Sequence, residues 1–276
     1  MDSYYKVLSI AGSDSSGGAG IQADIKTCSA IGVYGMTAIT AITAQNTTCV
    51  TGVMPVPPEY VSKQIDAVFA DIRPDAVKIG MLANSPIIDV VAERLEFYMP
   101  QNIILDPVMV STSGCKLIDD EAISSMVKRL LPIATLVTPN RHEAAIMARQ
   151  EITGTPENIL QAARSIIALG AKAVLIKGGH FDDKSMTDYL LTAQEPDNLI
   201  GFKSFFIDTP NTHGTGCTYS SAIASYLALG YDLYDSIKAA KQYLTGAIAA
   251  GAGITIGKGH GPVNHLYNPS SLKIHK

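Results

Sequence analysis

The sequence predicts an α/β fold with a mainly parallel central sheet and helices on both faces. Three observations carry that reading. Apolar runs of strand length alternate with longer stretches of helical period, which is the pattern of a sheet whose crossovers are helices. The alternation repeats at least five times along the chain. Glycine and polar residues cluster just after the apolar runs, where such sheets hold their ligands.

The first run, Val7 to Ile10, reads as a buried strand. Ile21, Ile25, Cys28 and Ile31 then recur at helical spacing and stop at Gly32, a C-terminal cap. Met36 to Ala44 is expected to form one continuous strand. Val61, Ile65, Val68, Phe69 and Ile72 share a helix face, and Ala76 to Ile79 is the next strand. Ser85 before Pro86 marks another helix start, with proline as the first helical residue. Ile103 to Leu105, Leu136 to Thr138 and Val174 to Ile176 are three further short strands separated by helical stretches. Asp182 to Phe206 breaks the rhythm: it is polar, alternates around Tyr189 to Leu191 and Phe205 to Ile207, and predicts edge strands or a hairpin. The last third is helical, Ser220 to Leu229 and Leu233 to Gly251, divided at Gly230. With no repeat, low-complexity tract or Pro-rich linker, residues 1–276 are expected to form a single domain.

Composition narrows the partners. Hydrophobic residues make up 47%, enough for a large core, and 25 acidic against 21 basic side chains leave a net charge of −4. No basic run tracks a nucleic-acid backbone, so nucleic acid is not an expected partner. Cys28, Cys49, Cys115 and Cys217 are scattered and form no C-x-x-C pair. The chain opens without a signal-peptide pattern and holds no apolar span of about 18 residues, which predicts a cytoplasmic protein without a membrane partner.

The strand-end residues form a coherent set: Gly12 to Gly20, Gln45-Asn46, Gly80-Met81, Asp106 to Met109, Thr138 to Asn140 with Glu143, and Lys177 to Gly179. Gly18-x-Gly20-x-x-Ala23 resembles a dinucleotide fingerprint only loosely. Its first glycine lies well beyond Ile10, and the second strand ends in Gln45 where an acidic ribose ligand is required. It is not a P-loop, since no Gly-Lys-Ser/Thr follows, and a plain flexible turn is the alternative. Asn211 to Thr218, just before an apolar helix, is more informative. Gly214-Thr215-Gly216-Cys217 lets consecutive amides converge at a helix N-terminus, an anion hole suited to charge developing in phosphoryl transfer, where helix capping alone is the plainer reading.

With these segments in order, the chain resembles the hydroxymethylpyrimidine/phosphomethylpyrimidine kinases, the thiamine-pathway branch of the ribokinase-like superfamily. The likeness runs from Leu8 to Asp14 through Gly17 to Asp24, Ala44 to Asn46, Lys78 to Leu82, Asp106 to Met109, Thr138 to Asn140, Glu143-Ala144, Lys177 to His180 and His213 to Cys217, ending at Gly259 to Val263. It implies a ribokinase-like fold, a homodimer, and transfer of the ATP γ-phosphate to the pyrimidine and then to its monophosphate. It also implies that the pyrimidine sits among Gly12, Asp24, Gln45, Met81 and Val108. ATP is placed over the Thr138 to Glu143 loop, including Asn140, with Lys177 and the Gly214 to Cys217 hole, and with Asp106 and Glu143 near Mg²⁺. His213 and His180 flank the nucleotide loops, where they are expected to contact phosphate, His213 as a cofactor-binding residue, or alternatively to hydrogen-bond the loop backbone. The chemistry agrees: an amide reads the edge of an aminopyrimidine while Met81 and Val108 pack its faces, and Mg²⁺ needs only one or two carboxylates besides water.

Cys217 departs from the aspartate that sugar kinases of the superfamily place at this point. A helix N-terminus is expected to lower its thiol from the usual value of about 8.5 so that it accepts the hydroxyl proton. Cys28, Cys49 and Cys115 are expected to be packing or surface residues, Asp106 and Glu143 serve alternatively as caps, and Met81 alternatively as core filling. The rival functions are a pyridoxal kinase of the same branch, a nicotinamide-dependent oxidoreductase and a non-catalytic ligand-binding module. Gln45 is the residue that favours the pyrimidine. Ser13 to Gly18 and Asp182 to Pro196 are candidate flaps by composition.

Overall fold

The computed structural model describes residues 2–109, 118–178 and 185–275, without the side chain of Ser185. Cys115 and His180, and the first part of the Asp182 to Pro196 segment, lie outside the described residues. One eight-stranded sheet runs in the order β10-β9-β8-β7-β6-β5-β1-β2. Its strands are β1 Lys6–Ala11, β2 Tyr34–Ile39, β5 Ala76–Ile79, β6 Ile103–Leu105, β7 Leu136–Val137, β8 Ala173–Ile176, β9 Ser185–Thr192 and β10 Ile200–Phe205. From β8 to β2 every pairing is parallel, and β9 and β10 add an antiparallel edge.

Side chains alternate across this sheet with the period of two that a strand imposes. Leu8, Ile10, Val77, Ile79, Leu105, Val137, Val174 and Ile176 face one core. That core is closed by α2 Pro58–Asp71, α3 Ser85–Tyr98, α4 Asp120–Arg129, α5 Arg141–Ala148 and α6 Pro156–Ala168. Val7, Ala76, Ile104, Leu136, Ala173 and Leu175 face the other, under α1 Gly20–Ile31, α7 Thr215–Ala228 and α8 Leu233–Gly251. Ser9 and Lys78 occupy positions in this second register, and both are buried.

Most helix ends follow their sequence signals. Gly32 closes α1 in the left-handed region at φ 89°, and Asp119, Asn84, Thr155 and Asp232 each accept an amide of the first turn that follows them. The third helix begins one residue earlier than its Ser-Pro signal, because the Asn84 side chain is the cap and Ser85 is already helical. The expected strand over Met36 to Ala44 is broken at Thr40. Its amide donates to the Ala11 carbonyl at 3.0 Å and its hydroxyl to the Met81 carbonyl at 2.6 Å, which turns the chain out of the sheet. Residues beyond it form β3 Ala41–Gln45, paired antiparallel with β4 Val50–Pro55 in a separate ribbon. Asn46 makes the turn between them, its Oδ1 accepting the Thr48 amide at 2.8 Å and the Cys49 amide at 3.1 Å. The hairpin expected near residues 182–206 is β9 with β10, the second strand lying earlier than the Phe205 to Ile207 alternation suggests. Cys28, Cys49 and Cys217 are free thiols, Cys28 buried and Cys49 exposed. No helix among the described residues is long and apolar enough to cross a membrane.

Candidate active site

The parallel strands all deliver their C-terminal ends to one side, and there a cavity of about 850 Å³ opens. It collects Gly12 after β1, Gln45 from the ribbon, Met81 after β5, Asp106 and Val108 after β6, Asn140 and Glu143 after β7, and Lys177 after β8. The fourth wall is the segment from His213 to Cys217 at the start of α7. Of the residues singled out in the sequence, Asp24 stands apart: it does not line the cavity and is 1% exposed.

Asp24 is instead fully engaged beneath the floor. Lys78, completely buried, donates to its two oxygens at 3.0 and 2.9 Å, Ser9 at 2.5 Å and Ser221 at 2.6 Å. The alternation of β5 dictates this, since Lys78 falls between Val77 and Ile79 and must enter the α1/α7 core. An ammonium there requires a carboxylate. Burial opposes the charge of Lys78, but Asp24, with Cys217 and Asp106 nearby, holds its pKa above the usual lysine value. Lys78 itself reaches the cavity, a role not read from the sequence. A lysine in the second register of an apolar strand was the available signal.

Lys177 and Asp106 form the second centre. Lys177 Nζ donates to Asp106 Oδ1 at 2.8 Å, while Ser220 donates to Oδ2 at 3.2 Å and Thr138 to Oδ1 at 3.3 Å. Burial opposes ionisation of Asp106, yet Lys177 and Lys78 outweigh it and its pKa is lowered. The converse holds for Lys177: burial pushes its pKa down, Asp106 and Glu143 push it up, and the net direction is upward. Glu143 and Asn140 form a capping box on α5: Asn140 N–H donates to Glu143 Oε2 at 2.8 Å and Glu143 N–H to Asn140 Oδ1 at 2.9 Å. Burial, reinforced by Asp106 and only partly offset by Lys177, moves the Glu143 carboxyl up to about 7. The cavity therefore holds carboxylate oxygens with incomplete counter-charge, a hard donor set that suits Mg²⁺ with retained waters. No cluster of three or more His, Cys, Asp or Glu ligands occurs among the described residues; Asp106 and Glu143 are the strand-end carboxylates that would hold such an ion, with oxygens from elsewhere.

The glycine loops meet each other. Gly214, at φ 80°, caps α7, and a Cβ there would collide with the Gly18 carbonyl oxygen, so only glycine fits. Asp14 organises the first loop by accepting the Ser16 amide at 2.8 Å, Ala19 at 2.8 Å and Gly18 at 3.2 Å, and His213 Nε2 lies 2.7 Å from its Oδ2. Burial works against this carboxylate, but the bonds from His213, Ser16 and Ala19 hold it well below the usual range. Ser15 fastens the same loop to the ribbon, donating to the Gln45 carbonyl at 2.7 Å and accepting the Gln45 amide at 2.8 Å. The Gln45 side chain is left beside Thr43 Oγ1 and His213 Nε2, each at 3.4 Å, with its amide at the cavity.

Cys217 sits in the first turn of α7, half-buried at the cavity wall. The expectation of a lowered thiol is reversed. Burial pushes it up to about 11; Lys78 and the Gly20 amide pull it down, Asp24 and Asp106 push it further up, and the upward influences win. The helix N-terminus supplies potential, but burial, the largest influence, outweighs it.

The remaining end of the cavity is apolar, lined by Met186 and Phe205 to Ile207 from the edge hairpin and by Leu244 and Ile248 of α8. None of these was singled out as a site residue in the sequence: Phe205 to Ile207 read as part of an edge hairpin, and aliphatic residues at helical period read as core.

Comparison with known proteins adds a name to this geometry. Residues 14–264 match the family model described as phosphomethylpyrimidine kinase. The chain is 48% identical over 260 residues to the hydroxymethylpyrimidine/phosphomethylpyrimidine kinase of Rhizobium meliloti (strain 1021), covering 94% of this chain and 96% of that one. Among solved structures it is similar to the phosphomethylpyrimidine kinase of Clostridium difficile 630, with a TM-score of 0.78, 45% identity, and coverage of 88% of this chain and 99% of that one. It is also similar to the ADP complex of Bacillus subtilis pyridoxal kinase, with a TM-score of 0.87, 37% identity, and coverage of 95% and 98%.

Proposed function

The chain belongs to the phosphomethylpyrimidine kinase family, and from that membership and the cavity's geometry we propose that it phosphorylates 4-amino-5-hydroxymethyl-2-methylpyrimidine and then its monophosphate, with ATP as donor, in thiamine biosynthesis. One observation carries the reading: an anion-binding helix N-terminus, a lysine with carboxylates, and an apolar slot headed by an amide all open into one cavity.

Gln45, Met81, Val108 and Gly12 receive the pyrimidine ring, Met81 and Val108 packing its faces and Gln45 pairing with its amino and ring-nitrogen edge. Asp24 serves indirectly, holding the Lys78 ammonium under the floor. The apolar end bounded by Leu244, Ile248 and Phe205 to Ile207 takes the nucleotide base, and Asn140 with the rest of the capping box shapes the ATP side. The amides of the Gly214 to Cys217 turn, apart from that of Thr215, which donates to the Thr212 carbonyl at 3.2 Å, and the Lys177 ammonium stabilise the charge that builds on the transferred group. His213 keeps the two glycine loops together through Asp14. Cys217 stands beside the acceptor oxygen and takes the alcohol proton, late in a loose transfer, where little bonding to the acceptor has formed. Magnesium ion, held through Asp106 and Glu143, supplies neutralisation of phosphate charge. The enzyme is taken to be a cytoplasmic homodimer.

The experiment is a comparison of kcat/KM for the pyrimidine alcohol, its monophosphate and pyridoxal, each with ATP and Mg²⁺. Turnover of both pyrimidines is expected, and a tenfold or greater preference for pyridoxal would overturn the substrate assignment.

A further inference from the structure

A second buried charge pair lies in the wall of the cavity that holds Lys177 and Asp106. β8 and β9 are antiparallel, and their last backbone pairing sets Ile176 against Tyr189. Beyond it a side chain continues the ladder: Asp188 Oδ1 accepts the Gly178 amide at 2.8 Å. The other oxygen, Oδ2, receives Lys241 Nζ from the middle of α8 at 2.7 Å. That ammonium also lies 5.9 Å from the ring centroid of Tyr219 on α7. Asp188 is 2% exposed and Lys241 8%. Both line the same cavity as Lys177.

Packing alone gives no reason for this pair. The rest of the buried face of α8 is mainly apolar, with Ile237, Ala240, Leu244 and Ala247, and a buried ion pair commonly stabilises a fold no better than apolar residues of similar volume. Its geometric effect is specific. The Lys177 amide donates to the Pro139 carbonyl at 2.8 Å, and the following amide, that of Gly178, is held by Asp188, so the Lys177 residue is fixed on both sides. Gly178 also has no space for a side chain, because the Thr187 backbone of β9 packs directly on it. The Lys177 ammonium is thereby delivered to Asp106 at 2.8 Å.

We propose that Asp188 and Lys241 are positioning residues for phosphoryl transfer, setting the turn after β8 so that the Lys177 ammonium meets the transferred group. Lys241 holds the Asp188 carboxylate aimed at the Gly178 amide, which couples α8 to the reacting end of the cavity. The proposal rests on the reading of Lys177 as a catalytic residue.

The test is a double-mutant cycle among Lys177→Met, the paired apolar replacement Asp188→Leu with Lys241→Met, and all three together, reading kcat and the KM for each substrate. The paired replacement avoids leaving a buried charge alone. It is expected to lower kcat at least about tenfold while KM for the pyrimidine stays within about twofold, and to cost less than about twofold when Lys177 is already Met. Equal losses in both backgrounds, or an unchanged kcat, would overturn it. An unchanged kcat in Lys177→Met alone would refute the underlying reading of Lys177, and with it the proposal, separately from any result on the pair. Should the paired replacement fail to fold, Asp188→Glu shifts the carboxylate by one methylene and retains both charges. The same Lys177-dependent fall in kcat is required there, and its absence refutes the positioning role.

Discussion

Replacing Cys217 with Ala separates the two phosphorylations. In the first, the acceptor is a neutral hydroxymethyl group whose proton must leave. In the second it is a phosphate monoester, whose second ionisation lies near pH 6, so its attacking oxygen is already anionic at neutral pH. With the thiol at about 11, the thiolate is present in about one molecule in 10⁴ at pH 7, and forming it costs about 5 kcal/mol. Well-matched general bases contribute about 10²- to 10⁴-fold. So poorly ionised a thiol falls at or below the lower end, and the expected loss in kcat for the alcohol is about 10- to 100-fold, against less than about threefold for the monophosphate.

The assay is steady-state turnover of each pyrimidine separately, at saturating ATP and Mg²⁺, from pH 6.5 to 9. Wild-type kcat for the alcohol should climb across that range as the thiolate fraction rises, while kcat for the monophosphate stays flat above the phosphate ionisation. Cys217→Asp, whose carboxylate is already ionised, should recover part of the first step and none of the second. Equal losses in both steps would refute the argument, because a group that only shapes the wall affects both acceptors alike.

Two further perturbations address the fold around the site. Asp24→Asn leaves Lys78 charged, buried and without its carboxylate, and should destabilise the protein by about 3–5 kcal/mol in urea unfolding, while Asp24→Asn with Lys78→Met recovers most of it; a cost below about 1 kcal/mol for the single variant would show that the pair is not holding the floor. His265, 4% exposed, has a buried Nε2 with no hydrogen-bond partner, and burial, with Lys26 and His213 nearby, lowers its pKa to about 4, while Tyr243 donates to its carbonyl at 2.5 Å. The unfolded chain then binds the proton first, so stability of about 3 kcal/mol is present above pH 6.5 and is lost as pH falls toward 4; His265→Leu should show a flatter melting temperature between pH 7.5 and 5, and an unchanged slope would sink the assignment.

What the sequence disclosed and what it withheld divide along a physical line. The strands β1, β5, β6 and β8 are short apolar runs with no competing local structure, so their pattern suffices to place them. The break at Thr40 is invisible because it depends on two carbonyls, of Ala11 and Met81, that only the folded chain brings near. Glycine and polar residues at strand ends were legible because topology sends every parallel strand end to one side, whatever the intervening helices contain. Lys78 and Asp24 show where that rule stops. The carboxylate looked like a ligand because it follows the glycine loop, yet its direction is set by the helix face it occupies, and that face meets a lysine 54 residues away. Asp188 and Lys241, 53 residues apart, are the same kind of pair.

Both pairs couple a helix on one face of the sheet to a strand, and Lys78, Asp188 and Lys241 line the same cavity as Lys177 and Asp106. Lys78 approaches Asp106 and Cys217 from below, and Lys241 fixes, through Asp188, the backbone that carries Lys177. Each of the three lysines therefore has its own carboxylate, Asp24, Asp106 or Asp188, and Glu143 is left over. Burial and the nearby Asp106 raise this remaining carboxylate to about 7, against the pull of Lys177.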